Sequence, residues 1–324
     1  MYNHTQLKDL VEKALFNLSL PSEASRLAET VRYILSAGGK RLRPVLTLMA
    51  CNIFTDKIDH AVLPATGIEI FHNFTLVHDD IMDNAPVRRN LPTVHTRWNV
   101  NQAILSGDIM VFIATECFFN LPPELLLTVL RIYNKAAIDV CTGQQLDLDF
   151  EKVPSVTEKE YLRMIELKTA SLIAASLKMG ATLGGAGIKE RELLYEFGMN
   201  LGMAFQIQDD MLDVYGETKI FGKTSGGDIA ANKKTFLYVK AMEMATGQSL
   251  QTLKTLFHNK NNDIEEKIRK VKEIYDALNI KLIAENLTNQ YISRAISILE
   301  NLPVNSERKE ELMSLTLSLT DRNI

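Results

Sequence analysis

Two acidic clusters of identical spacing, Asp79-Asp80-Ile81-Met82-Asp83 and Asp209-Asp210-Met211-Leu212-Asp213, each lie inside a long apolar stretch. The apolar residues around both recur with helical periodicity, and in a helix positions i and i+4 stack on one face. Asp79 therefore shares a face with Asp83, and Asp209 with Asp213. Like charges at that spacing destabilise an isolated helix by about 0.2–0.5 kcal/mol per pair. One such cluster is usually a solvated acidic face. Two copies, both flanked by hydrophobic residues, require a counter-charge, and hard cations with oxygen ligands are the natural one.

Helical periodicity dominates elsewhere too, and no strand–turn–strand signal stands out. A helix begins near Pro21 and ends at Gly38-Gly39, and Pro44 sits in the first turn of the next. Further helices are expected over about 61–83, 98–119, 122–150, 158–183 and 189–214. Pro86 and Pro92 enforce a loop after the first cluster, residues 184–187 break the pattern, and 215–228 read as a loop. No Pro-, Gly- or Ser-rich linker divides the chain. The expectation is one all-α domain over residues 1–324, built as a helix bundle. With 324 residues, 46% of them hydrophobic, the chain can bury a substantial core.

A formal net charge of −4 argues against a general nucleic-acid binder, which carries a basic footprint. Cys51, Cys117 and Cys141 are widely spaced and odd in number, so neither a disulfide framework nor a zinc site is indicated. They read as reduced core thiols of a cytoplasmic protein. The first sixteen residues look like an amphipathic helix rather than a signal peptide. The most apolar stretch, 109–119, is too short for a bilayer and contains Glu116, so no membrane insertion is expected.

Cations gather at a few places. Lys40, Arg41 and Arg43 follow two glycines at a helix start, where outward N–H groups suit phosphate. Arg88-Arg89 follows the first acidic cluster, and Lys168-Thr169, Lys223 and Lys233-Lys234 lie near breaks in the apolar pattern. Each alone reads as a solvated basic turn. The combination of acidic pairs for metal and cations for an anion is what a metal–diphosphate site needs. His72 and His78 precede the first cluster, and a helical histidine is ordinarily a hydrogen-bonded core residue. His78-Asp79 has the look of a metal-dependent phosphohydrolase pair, but convincing further histidine ligands are missing.

Taken in order, these motifs resemble the trans-isoprenyl diphosphate synthases, the polyprenyl synthetase family. The residues are GGKRLRP from Gly38, EIFHNFTLVHDDIMDNAPVRR from Glu69, GQQLD from Gly143, Lys168-Thr169, and FQIQDDMLD from Phe205 with the later FGK and DIAANK. The resemblance implies an all-α isoprenoid synthase fold around a deep central cavity, usually in a homodimer. It implies condensation of isopentenyl diphosphate with an allylic diphosphate by Mg²⁺-dependent ionisation, with three Mg²⁺ ions per site. Asp79 and Asp83 would hold ions bridging the allylic diphosphate, with Asp80 in support; Asp209 would hold a further ion, with Asp210 and Asp213 nearby. Lys40, Arg43, His72 and Arg89 would bind isopentenyl diphosphate. Arg88, Lys168, Thr169, Gln206, Lys223 and Lys233 would contact the allylic substrate, and Gln144 and Asp147 would brace the cavity wall.

Product length would be set below the first cluster. Thr75 lies one turn, ~5.4 Å, from Asp79, with Phe71 roughly another turn down and Phe74 flanking. Aromatics at both the fourth and fifth positions before the motif resemble a farnesyl (C15) synthase. Here the fifth is Phe74 but the fourth is the smaller Thr75, and the motif lacks the two-residue insertion of common bacterial farnesyl enzymes. A geranylgeranyl (C20) product is expected, with C15 as the alternative. A class I terpene cyclase would share the fold and first motif but typically carries a different second one. A non-catalytic subunit of a heteromeric synthase would be expected to lose acidic motifs, and both are intact here.

Overall fold

The chain's first helix, α1 (His4–Phe16), opens with a reciprocal cap: Asn3 accepts from Gln6 N, and the Gln6 side chain accepts from Asn3 N. Two orphan amides of the first turn are thereby satisfied. Leu7, Val11 and Leu15 recur at i+4 and are the buried face. The structure, a computed structural model, describes residues 1–216, 226–258 and 263–320. These residues group into two compact units, each assembled from separate stretches of chain.

The first unit comprises residues 1–135, 175–195 and 302–313. After α1 come α2 (Ser25–Ser36), α3 (Leu42–Phe54) and α4 (Asp59–Met82). Gly38 (φ 73°), Gly39 (φ 131°) and Arg41 (φ 50°) make the turn from α2 into α3, so the paired glycines supply a backbone that other residues rarely adopt. α3 is buried throughout from Pro44 to Ile53. α4 packs along α6 (Val100–Glu116), and Gly67 permits the approach: a Cβ there would lie 2.7 Å from the Ala114 carbonyl oxygen. The expected helix over 98–119 is α6, and a separate single turn, α5 (Val94–Arg97), precedes it. Asn99 is extended and accepts from Gln102 N at 2.8 Å, which caps α6 and separates the two.

Between α4 and α5 the expected loop contains a small antiparallel hairpin, β1 (Val87–Arg88) and β2 (Leu91–Pro92). Arg89 (φ 51°) and Asn90 (φ 62°) form its turn. Positive φ at both central residues is the type I′ geometry that suits the twist of a tight hairpin.

The second unit comprises residues 136–174, 196–301 and 314–324, the last four of which lie outside the described set. α7 (Pro123–Lys152) contributes to both units, as do α9 (Ser171–Leu183) and α10 (Ile188–Tyr215). α8 (Glu158–Ile165) opens with a Thr157–Glu160 capping box. The expected helix over 158–183 is interrupted by a π turn, Glu166–Ala170, between α8 and α9. The unit continues with α11 (Gly227–Ala230), α12 (Phe236–Met244), α13 (Gly247–His258), α14 (Ile264–Ala277), α15 (Ile280–Glu300) and the end of α16 (Glu310–Thr320). Its core gathers Tyr161, Met203, Ile207, Phe236, Val271 and Tyr275. Each large apolar side chain fully buried in this way stabilises by about 1.5–3 kcal/mol. Cys51 and Cys117 are buried as expected, whereas Cys141 is exposed. Among the described residues no helix is long and apolar enough to cross a membrane.

Candidate active site

In the first unit the chemistry collects at the C-terminal end of α4 and in the turns that face it. Asp83 N donates to Asp79 O at 2.8 Å, so the helical register runs through the motif and the two carboxylates share a face. Asp79 is half-buried and Asp83 exposed. Asp80, next in the sequence, is rotated off that face, and its buried carboxylate accepts from Arg88 Nε at 2.7 Å. Burial raises the Asp80 pKa and the Arg88 charge opposes that shift. The structure thus gives Asp80 and Arg88 to each other.

Four of the other nominated residues surround the Gly38-Gly39 turn. Arg43 Nη1 lies 3.1 Å from His72 Nε2. Burial, then the charges of Arg43, Arg89, Arg88 and Arg41, push the His72 imidazole well below its ordinary range. It is therefore neutral near pH 7 and accepts from Arg43. Burial and the neighbouring Arg89 lower Arg43 to about 10, which leaves it protonated. Arg43 Nε is buried with no hydrogen-bond partner among the described residues. Arg89 Nη1 donates to Gly38 O and, at 3.4 Å, to Asn73 Oδ1. Its guanidinium carbon lies 2.9 Å from where a Gly39 Cβ would sit, at a backbone φ of 131° that side chains rarely adopt. Lys40 is exposed on the same turn.

Arg41 differs from its neighbours. It is 2% exposed and donates to Glu12, to Glu69 Oε1 at 2.8 Å and to Leu35 O. Glu69, also 2% exposed, further accepts from Asn73 Nδ2 at 2.9 Å. Arg41 is the internal brace of the turn, and Glu69 is its buried counter-charge.

Below Asp79 on α4, Thr75 is half-buried and its hydroxyl donates to His72 O. Phe71 is buried, with its ring centroid 5.4 Å from Phe74 and 5.3 Å from Tyr133, which in turn lies 4.9 Å from Phe118. Tyr133 and Phe118 extend an aromatic layer that sequence reading had limited to α4. His78 meets Phe74 edge-to-face and lies 3.2 Å from Ile104 O, fitted against Gly107. A cavity of about 700 Å³ elsewhere in the unit is lined by residues such as Leu15, Tyr33 and Trp98, and by none of the nominated ones.

In the second unit the π turn carries Lys168 and Thr169 between two glycines. A Cβ on Gly143 would lie 2.3 Å from Lys168 N, and one on Gly202 would lie 2.5 Å from Ala170 Cα. The wide turn aims Lys168 Nζ at Asp147 Oδ2 (2.5 Å) and Thr169 Oγ1 at Gln206 Oε1 (2.8 Å). Gln206 Nε2 donates to Asp210 Oδ1 at 3.0 Å, and Asp210 Oδ2 accepts from Tyr161 OH and Phe236 N. Burial pushes Asp210 up to about 6 against those donors. Asp210 is a structural hub, while Asp209 is exposed and Asp213 half-buried. Gln144 is half-buried on α7.

Asp213 Oδ2 accepts from Asp228 N at 2.9 Å, and Lys233 N donates to Asp228 O at 2.9 Å. Asp228, which sequence reading did not single out, is pushed up to about 7 by burial and then by Asp213 and Asp210. Lys223 lies outside the described residues.

These donors fit a hard divalent cation. They are carboxylate oxygens, and the mutual repulsion that raises Asp228 is relieved by positive charge. Among the described residues no three His, Cys, Asp or Glu side chains already converge on one point. Mg²⁺ characteristically binds through one or two carboxylates together with substrate phosphates.

The polyprenyl synthetase profile matches residues 24–278. A geranylgeranyl pyrophosphate synthase of Geoglobus acetivorans is 36% identical over 316 residues, covering 97% of this chain and 96% of its own. The geranylgeranyl diphosphate synthase of Methanosarcina mazei is 39% identical over 235 residues, 72% of each chain. A crystal structure of a geranylgeranyl pyrophosphate synthase, 38% identical, superposes with a TM-score of 0.95 over 100% of both chains. The all-α architecture is therefore the isoprenoid synthase fold. The profile and the relatives agree with the motif order read from the sequence, and this chain belongs to the polyprenyl synthetase family of prenyltransferases.

Proposed function

We propose that the enzyme condenses isopentenyl diphosphate with an allylic diphosphate, and that its main product is geranylgeranyl diphosphate. The observation that carries this reading is the first unit's α4. One helix bears a carboxylate face at Asp79 and Asp83, and the arginines of two adjoining turns sit beside its preceding residues. Carboxylates suit metal and arginines suit a second, metal-free diphosphate. A cyclase needs only the first.

The family is Mg²⁺-dependent. Three ions per site, held by Asp79, Asp83 and Asp209, would supply positive charge to the allylic diphosphate as its C–O bond breaks. Lys168, Arg88, Lys233 and Lys223 would add charge to the departing diphosphate, as the family resemblance implies. Asp147 restrains Lys168 so that it is aimed before substrate arrives. Thr169 and Gln206, bonded to each other, offer neutral oxygens that stabilise an allylic cation without capturing it. Arg43, with its buried unpaired Nε, and Arg89, His72 and Lys40 hold isopentenyl diphosphate so that its double bond attacks in a fixed pose. A buried donor left unsatisfied costs about 1–3 kcal/mol, which a phosphate oxygen offsets. The proton lost after coupling passes to the released diphosphate.

Arg43→Ala is expected to raise KM for isopentenyl diphosphate about tenfold or more, and to raise KM for the allylic partner far less, since one charge-assisted contact is worth ~1.5–3 kcal/mol. Steady-state kinetics with each substrate varied in turn checks this, and the reverse order means that the two subsites are exchanged. Thr75→Phe is expected to shorten the product and Phe74→Ala to lengthen it. Chromatography of the dephosphorylated alcohols decides: if both variants keep the wild-type length, this face of α4 does not form the floor.

The enzyme acts as a homodimer in the cytoplasm. Leu105 and Phe112, two turns apart on α6, are 54% and 72% exposed, an apolar stripe that a second copy covers. Phe112→Glu should shift the sedimentation coefficient towards that of the monomer while helicity is retained; a wild-type chain that sediments as a monomer contradicts the dimer.

Diphosphate release tests the coupling reading. Release should require both substrates together with Mg²⁺. Rapid release from the allylic diphosphate alone would indicate a cyclase.

A further inference from the structure

Lys267 has no part in the scheme above, yet it is a charged residue only 3% exposed. It lies on α14, and its ammonium donates to Ile229 O and to Asn232 Oδ1, both at 2.5 Å. The Phe257 ring covers it, with its centroid 4.8 Å away. Among the described residues no carboxylate pairs with it. Burial lowers its proton affinity, so the position is costly for a cation.

Both oxygens that the ammonium binds belong to one short stretch. Ile229 is in the last turn of α11, and Asn232 follows it in the left-handed region (φ 59°). The same stretch is tied at its other side to the second acidic cluster. Gly226 N donates to Asp213 O at 2.6 Å, Asp228 N to Asp213 Oδ2 at 2.9 Å, and Lys233 N to Asp228 O at 2.9 Å. Lys233 is thus registered to Asp213 through Asp228. Lys267 pins the Ile229–Asn232 part of that turn, as Asp213 pins its Gly226–Asp228 part.

We propose that Lys267 is a positioning residue whose ammonium, by binding Ile229 O and Asn232 Oδ1, fixes the turn that presents Lys233 to the allylic diphosphate. The inference rests on the reading of Lys233 given above. It predicts a selective kinetic defect rather than a general loss of folded enzyme.

The experiment compares full-length Lys267→Met, Lys267→Arg, Asn232→Gly and Lys233→Gln with wild type, each substrate varied in turn at saturating Mg²⁺. Glycine tolerates the left-handed backbone of residue 232 and removes only the side-chain acceptor. Lys267→Met should raise KM for the allylic diphosphate about tenfold, with KM for isopentenyl diphosphate changed by roughly twofold or less, as one charge-assisted interaction is lost. Asn232→Gly should move the same constant in the same direction by less, and Lys267→Arg should recover part of the loss. Should Lys267→Met not fold, Asn232→Gly and Lys267→Arg carry the test. A rise for Lys233→Gln with no rise for the folded Lys267 and Asn232 variants overturns the positioning role. A fall in kcat with both KM values unchanged overturns it too, since that is lost active enzyme. If Lys233→Gln itself leaves the allylic KM unchanged, the assignment of Lys233 fails and the positioning role falls with it.

Discussion

Asp79→Ala and Asp209→Ala each lower turnover by about 10²–10³-fold or more, the loss expected when charge stabilisation of a departing group is removed. Folding should be unaffected. Asp79 is half-buried and Asp209 exposed, and removing either relieves a like-charge i,i+4 pair worth about 0.2–0.5 kcal/mol. Circular dichroism should therefore match wild type while kcat at saturating Mg²⁺ collapses. Near-normal turnover in either variant would remove that cluster from the chemistry.

Arg41→Ala loses about 3–5 kcal/mol of stability, because it breaks a buried pair and strands the other charge. Arg41 and Glu69 are each 2% exposed, and among the described residues Glu69 keeps only the Asn73 amide as a side-chain donor once the guanidinium is gone. The effect should appear in the urea midpoint, together with a raised KM for isopentenyl diphosphate, since Arg41 builds the turn on which Lys40 and Arg43 sit. A loss below ~1 kcal/mol, the range of a surface ion pair, would mean that Glu69 finds water or another donor.

Arg41 and Arg43 also mark where the sequence stops being informative. In GGKRLRP the three cations look alike, and nothing in their spacing says that Arg41 turns inward to Glu12 and Glu69 while Arg43 meets His72 and Lys40 is exposed. That is set by the left-handed backbone at Arg41 and by residues from α1 and α4. The long helices were readable because an apolar stripe with a 3.6-residue period needs no knowledge of its partner. Asp79 and Asp83 on one face followed from the same period. The start of α6 is legible in the same way, since Asn99 caps it one residue after the expected start.

The π turn was not readable. It exists because Gly143 and Gly202 let neighbouring helices press on Lys168 and Ala170, which are distant from them in sequence. The hairpin was missed because its turn is Arg89-Asn90, without the Asn-Gly or Asp-Gly pair that normally announces type I′. Holding a non-glycine residue at positive φ costs energy, and Arg89 is held so while its guanidinium reaches Gly38 O. Asp228, Tyr161 and Lys267 reach the second cluster through contacts 15 to 49 residues away, or through another turn, so no local pattern could single them out.

The central claim, that this chain elongates an allylic diphosphate, is tested most directly by product identification. Purified enzyme is incubated with Mg²⁺, labelled isopentenyl diphosphate and farnesyl diphosphate, and the products are resolved by mass spectrometry before and after dephosphorylation. The account predicts a linear diphosphate longer than its primer by one isoprene unit, the C20 species, and none without Mg²⁺. A cyclic hydrocarbon, or a primer recovered unchanged from folded enzyme, would contradict it.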